Sequence, residues 1–103
     1  MKKTLIDTWE SKTPDGKSVK ESTLDIINVL MNVIMSKEEL SGFDNFKFMS
    51  KISTALVAAE KDGELLLDDA EHEKLSELSK KHVPAAWGSN PNIVKAYQAF
   101  LDA

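Results

Sequence analysis

The sequence predicts a mainly α, α+β chain in which an N-terminal β-hairpin is followed by a compact four-helix domain. Three observations support this class: an apolar run at residues 24–35, turn chemistry within residues 4–20, and apolar residues at helical spacing in the later segments. A chain of 103 residues is long enough to bury a modest core. We therefore expect a single domain, with residues 1–21 as a hairpin arm and residues 22–103 as the helical core.

The run from Leu24 to Met35 dominates this prediction, because nine of its twelve residues are apolar. At about 100° per residue, the polar residues Asp25, Asn28 and Asn32 fall in one narrow wedge. A surface helix needs an apolar stripe only about 100° wide, so this helix must be covered on most sides. Two interpretations follow: a central core helix, which we favour, or a helix whose second face contacts a partner or another copy of the chain.

Residues 4–20 have the pattern of a β-hairpin around Pro14-Asp15-Gly16, a sequence typical of tight turns. We predict strands near residues 4–11 and 17–20. Because an isolated two-stranded hairpin is marginally stable, its apolar residues should pack against the helices or pair with another chain. An exposed edge of this hairpin would be a natural docking strand.

The helices are bounded by recognisable signals. Ser22 or Thr23 caps the first helix, a short extra turn is expected over residues 36–39, and Asn90-Pro91 starts the last helix. In the second helix, Phe48, Met49 and Ile52 lie on the inner face with Phe46 at its margin, and we assign the phenylalanines to the core. The remaining predicted elements are a helix at 44–61, a very short strand at 64–67 and a helix at 68–81.

Composition narrows the classes of function. The chain has no cysteine, which excludes disulfides, thiolate metal sites and a cysteine nucleophile. The formal charge of −4 comes from acidic and basic residues mixed along the chain, which argues against a nucleic-acid partner. The apolar run is shorter than the roughly 20 residues that span a bilayer, and the N-terminus lacks a secretory pattern. We expect no membrane association and a cytoplasmic location.

One segment is similar in element order to an EF-hand calcium site. If Gly63 takes the glycine position of the loop, Glu60, Asp62 and Asp69 fall at ligand positions. The first ligand position is then Ala58, which has no oxygen to offer. We therefore favour a simple helix connection through a left-handed glycine, and keep calcium binding as a less favoured alternative with those three carboxylates as candidate ligands.

The sequence has few features of a catalytic site. It lacks a glycine-rich phosphate loop and a nucleophile elbow, and its carboxylates lie on faces that should be solvated. The two histidines, His72 and His82, are too far apart along one helix to share a metal. We expect a protein that is not an enzyme and that needs no cofactor.

The predicted elements carry a set of spaced residues along the chain. They are Asp15-Gly16-Lys17, Thr23-Leu24, Leu40-Ser41-Gly42, Phe46-Lys47, Lys51-Ile52, Ala55, Leu65 and Leu67. With these residues, the order of the elements resembles small proteins of about 100 residues from tailed bacteriophages and prophages. The resemblance covers most of the chain and departs from the group at residues 83–92, where this chain has a longer connection. It implies an accessory or structural phage protein that acts by binding.

We therefore expect a non-catalytic protein-binding module that engages a larger host or phage protein. The alternative is a self-assembling virion or assembly component, in which the same surfaces contact other copies; its location would be the virion instead of the host cytoplasm. The candidate partner-binding residues come from the hairpin and from the spare face of the first helix. They are Leu5, Trp9, Val19, Ile26, Val29 and Val33.

Overall fold

The computed structural model describes residues 1–37 and 41–103. Within these ranges the chain forms four short strands and four α-helices, which confirms an α+β class with an N-terminal hairpin. The strands are β1 (Lys2–Leu5), β2 (Thr8–Lys12), β3 (Ser18–Ser22) and β4 (Glu64–Leu67). The helices are α1 (Thr23–Met35), α2 (Phe43–Asp62), α3 (Asp69–His82) and α4 (Pro91–Leu101), with a 3-10 helix at Ala85–Ser89. The extra turn predicted over residues 36–39 falls partly outside the described residues.

The predicted first hairpin strand is in fact two strands with different partners. β2 pairs with β3 in the hairpin, whereas β1 pairs antiparallel with β4, with Lys2 opposite Leu67 and Leu5 opposite Glu64. The chain changes partner at Asp7, whose N–H donates to Thr23 Oγ1 at 2.9 Å and whose carbonyl accepts from Thr23 N–H at 3.0 Å. The hairpin arm therefore begins at β2, and β1 belongs to the helical core.

The hairpin turn follows its predicted chemistry. Thr13 N–H donates to Lys17 O at 2.8 Å, and Gly16 N–H donates to Thr13 O at 2.9 Å. Gly16 has φ of 85°, which a three-residue hairpin loop requires at its last position and which glycine adopts without steric cost. The predicted turn at Pro14-Asp15-Gly16 is confirmed.

Helix α1 lies at the centre of the core, as the favoured interpretation predicted. Ile27, Leu30 and Ile34 are fully buried, and α1 packs against α2, α3 and α4. The polar wedge of Asp25, Asn28 and Asn32 faces solvent. The remaining core residues come from every helix and from β4: they include Phe48, Ile52, Leu56, Leu65, Leu67, Leu75, Ala96 and Phe100.

Local signals set the ends of the helices. Gly63 ends α2 in a left-handed conformation with φ of 71°, and its N–H donates to Ala59 O at 3.0 Å. The Asn90 side chain accepts hydrogen bonds from the N–H groups of Asn92 and Ile93, and Pro91 takes the first position of α4. Both connections agree with the sequence-based prediction.

Candidate protein-binding surface

Three of the residues predicted to bind a partner are exposed, but they lie on three different elements. Leu5 on β1 is 69% exposed, Val19 on β3 is 42% exposed and Val29 on α1 is 43% exposed. Leu66 on β4, which is 39% exposed, lies diagonally across from Leu5 in the β1–β4 register. Scattered exposed apolar side chains of this kind are common on protein surfaces.

The other three predicted residues contribute to the fold. Ile26 is only 4% exposed and packs in the core, because it lies one turn before Leu30 on the inner side of α1. It therefore offers no surface to a partner. Trp9 packs partly against the core, and its indole N–H donates to Glu21 Oε2 at 3.1 Å. Val33 is half-buried.

The largest exposed apolar side chains on one element lie along α2. Phe43, Phe46 and Val57 are 69%, 65% and 64% exposed. At helical spacing they project from the side opposite the buried stripe of Phe48 and Ile52. We define the outer face of α2 as Phe43, Phe46, Lys47, Ser50, Thr54, Val57 and Lys61.

Two aromatic rings form the N-terminal end of this outer face. The ring centroids of Phe43 and Phe46 are 6.4 Å apart, and the ring planes differ by 15°. The ammonium group of Lys47 lies 4.8 Å from the centroid of the Phe43 ring, a geometry that allows a cation–π interaction. An apolar platform with a cation at its rim is therefore open to solvent at the start of α2.

Three shallow depressions meet at Thr54, with cavity volumes of about 410, 550 and 640 Å³. The two larger ones lie along the outer face, whereas the smallest lies between α2 and the connection from β4 to α3. They exist because this stretch of α2 has small side chains, including Ser50, Ser53 and Ala58. The largest of the three is also lined by Met35 at the end of α1. The outer face thus combines projecting phenylalanines with depressions that another protein's side chains can enter.

Sequence reasoning missed Phe43 and Phe46. The helix was predicted to begin one residue after Phe43, and Phe46 was assigned to the margin of the core-facing stripe. A usable signal is that residues 43, 46 and 57 are apolar on the face opposite residues 48, 52 and 56. Periodicity alone shows that the helix has two apolar sides, but not which side the rest of the chain covers.

A charged pair lies where α2 meets α3. The Lys51 ammonium is 3.1 Å from Glu71 Oε1, and the hydrogen bond from Lys51 lowers the pKa of the Glu71 carboxyl group against the opposing effect of desolvation. Glu71 is 9% exposed, and its Oε2 has no hydrogen-bond partner among the described residues. Lys51 is therefore the cation that compensates this carboxylate.

The candidate calcium ligands do not form a cluster. Among the residues that the structure describes, no group of three or more acidic, histidine or cysteine side chains could hold a metal ion. Asp69 forms an ion pair with the N-terminal ammonium at 3.2 Å, while Glu60 and Asp62 lie on the last turn of α2. Gly63 takes the left-handed helix ending that we favoured over an EF-hand loop.

His72 is buried between α3 and α4, where it contacts Phe100. It is 7% exposed, its Nε2 lies 2.7 Å from Phe100 O, and its ring packs against the Phe100 ring at 4.8 Å between centroids. This hydrogen bond joins α3 to the carbonyl-bearing end of α4, where backbone acceptors lack helical partners. His72 therefore contributes to the packing of two helices.

No protein-family model, curated protein or solved structure matches this chain. The resemblance to small phage proteins stays a prediction. Within residues 1–37 and 41–103, no helix has the length and hydropathy needed to cross a bilayer.

Proposed function

We propose that this protein is a non-catalytic protein-binding module and that the outer face of α2 is its principal binding surface. The observation that carries the proposal is the pair of stacked phenylalanines, Phe43 and Phe46, each about two-thirds exposed. Exposed apolar patches on globular proteins often mark interaction sites, and aromatic residues are frequent energetic anchors of protein interfaces. If the resemblance to phage proteins is correct, the partner is a larger phage or host protein.

The free energy that the two phenylalanine rings contribute to binding can be bounded from their exposed area. A phenylalanine offers roughly 150–250 Å², so each exposed ring leaves on the order of 100 Å² for a partner to cover. At about 25 cal/mol per Å², covering one ring stabilises a complex by about 2–3 kcal/mol. Removing both rings removes up to about 4–6 kcal/mol and should therefore weaken binding by a factor of up to roughly 10³–10⁴.

Other features support the same surface. The depressions beside Thr54 can receive side chains of the partner, and Lys47 and Lys61 stand on this face as polar groups around the apolar centre. An apolar centre with a polar rim is the usual anatomy of a protein–protein interface. The exposed residues Leu5, Val19 and Val29 remain candidates for additional contacts.

The test uses the double variant Phe43→Ser, Phe46→Ser and a matched control, Val94→Ser, which removes a side chain that is 47% exposed on α4. Light scattering over a concentration series measures self-association, and affinity capture from a bacterial lysate compares the proteins bound by each form. Circular dichroism checks that all forms are folded. We expect the double variant to lose a contact that the wild type and the Val94 variant both keep.

Loss of a contact in the double variant has two interpretations, which differ in whether the bound protein is another copy of the chain or a second protein. A wild-type oligomer that dissociates in the double variant assigns the outer face to self-assembly, the alternative function predicted from the sequence. A captured second protein that the double variant no longer binds supports the module proposed here. Capture that is equal in all three forms contradicts the assignment of this face.

A further inference from the structure

A cleft lies on the surface between the 3-10 helix at Ala85–Ser89 and helix α4. Its cavity volume is about 320 Å³, which is near the lower limit for ligand sites in proteins. The lining is apolar apart from the polar ends of Trp87, Tyr97 and Gln98, and none of the described residues that form it carries a charge. The cleft therefore has no charged group to compensate a charged ligand, and an uncharged occupant fits it best.

Two aromatic rings line the cleft at an angle to each other. The ring centroids of Trp87 and Tyr97 are 6.1 Å apart, and the ring planes differ by 69°. Each residue is held by the fold: Trp87 N–H donates to Pro84 O at 3.1 Å, and the Tyr97 hydroxyl lies 2.8 Å from Ser79 Oγ. The cleft is thus formed before any ligand arrives, which lowers the entropy lost on binding.

Two uncharged hydrogen-bond donors are available at the cleft. Within the part of the chain that the structure describes, the indole N–H of Trp87 has no partner and is not buried, whereas the indole N–H of Trp9 donates to Glu21. Gln98 donates from Nε2 to Asp102 Oδ1 at 2.9 Å, and its amide has a second N–H. A ligand that is rich in carbonyl acceptors and poor in donors therefore complements the cleft.

This chemistry selects the conformation of the occupant. An α-helix satisfies most of its carbonyls internally, and an added strand needs the edge of a sheet, whereas none of the strands β1 to β4 lines the cleft. A polyproline II segment has no internal hydrogen bonds, and its prolines have no N–H to satisfy. Because such a segment is extended before binding, it loses little conformational entropy, which matters for a cleft that covers only a few side chains.

We propose that the cleft between the 3-10 helix and α4 binds an uncharged, proline-rich segment of another protein. A proline ring of the segment packs against the rings of Trp87 and Tyr97, and the Trp87 indole N–H donates to one of its carbonyls. Aromatic-lined grooves are the usual receptors for segments in the polyproline II conformation. Since no residue of α2 lines the cleft, this site does not depend on the function proposed for the outer face of α2.

The probe is a blocked hexaproline peptide, and the control is a blocked peptide of the same length that alternates glycine and serine. NMR of the isotope-labelled full chain follows the amide and indole signals during titration to about 5 mM peptide, the range of a weak complex. The chain has only two tryptophans, so Trp9 is an internal control. We expect hexaproline to shift the Trp87 indole signal and the amides of residues 85–98, and to leave the Trp9 indole signal unchanged.

Two substitutions test the contacts at the cleft. Trp87→Phe keeps an aromatic ring but removes the indole N–H, and it should weaken hexaproline binding roughly two- to tenfold. Val94→Ser removes an apolar side chain that lines the cleft and is 47% exposed, so it should weaken binding without unfolding the chain, even if Trp87→Phe disturbs the amide spectrum of α4. The double variant Phe43→Ser, Phe46→Ser should bind hexaproline as the wild type does.

Several outcomes would overturn the proposal. The Trp87 indole signal would stay in place up to 5 mM hexaproline, or the glycine–serine peptide would shift it equally. Equal affinity for N-acetylproline amide would assign the cleft to small ring compounds instead of a segment of chain. Shifts of the same signals on dilution of the free protein would show that a second copy covers the cleft. Loss of hexaproline binding in Val94→Ser but not in the Phe43 and Phe46 variant separates this site from the function proposed for α2.

Discussion

Phe46 and Phe48 provide a sharp test of the orientation of α2, because they are the same residue type two positions apart. Phe46 is 65% exposed, whereas Phe48 is 7% exposed and packs in the core. The Lys74 ammonium also lies 4.6 Å from the centroid of the Phe48 ring. Replacing each in turn by alanine should therefore have opposite consequences for folding and for binding.

The expected costs follow from the buried areas. Nearly complete burial of about 150–200 Å² at about 25 cal/mol per Å² contributes about 4 kcal/mol, and Phe→Ala in cores costs about 3–5 kcal/mol. Phe46 is 65% exposed, so replacing it by alanine removes at most about 1–2 kcal/mol of burial, and alanine regains about 0.5 kcal/mol through helix propensity. Phe48→Ala should remove a large share of the roughly 5–15 kcal/mol that stabilises a domain, while Phe46→Ala should cost about 1 kcal/mol or less.

Urea denaturation followed by circular dichroism measures both free energies of unfolding, with the slope of the transition as a check that the unfolded states are comparable. If Phe46→Ala destabilises the protein as much as Phe48→Ala does, Phe46 is buried in solution. The outer face of α2 would then not be available to a partner. If the prediction holds, Phe46→Ala is a folded variant in which lost binding reports the surface itself.

Two further predictions concern a helix end and a charged pair. Gly63→Ala places a side chain at φ of 71° and should lower the free energy of unfolding by about 1 kcal/mol. The control Gly88→Ala, at a position where φ is not positive, should change the free energy of unfolding little. Equal shifts of the two variants in thermal denaturation would contradict this account. Glu71 has a pKa lowered from 4.5 by Lys51, so its contribution to stability is present above pH 4.5 and is lost as the pH falls through the folded pKa. In that acidic range, the urea midpoint of Glu71→Gln should depend less on pH than the midpoint of the wild type. Parallel curves of urea midpoint against pH for the two proteins would show that the Lys51–Glu71 pair contributes nothing to stability.

Local chemistry made much of the fold predictable. The left-handed ending at Gly63, the cap formed by Asn90 before Pro91 and the turn at Gly16 each depend on the conformational preferences of residues a few positions apart. The central position of α1 followed from its nearly continuous apolar surface, because such a surface must be covered on most sides. These features need no knowledge of distant contacts.

The candidate binding surfaces were less predictable because they depend on what the rest of the chain leaves uncovered. Val29 was identified as exposed, but its neighbour Ile26 faces the core. Phe46 was assigned to the margin of the core, yet it projects into solvent. Helical spacing sorts residues onto faces of one helix, but it does not say how many faces the neighbouring elements cover.

The sequence by itself determined the element types, the buried centre at α1 and the chemistry of the connections, since these depend on local propensity and total apolar content. Only the tertiary structure decided that β1 leaves the hairpin to pair with β4, because strand pairing across distant parts of the chain has no local signature. The same packing left Phe43 and Phe46 exposed on α2. The proposed binding surface on α2 therefore depends on which faces of this helix its neighbours cover.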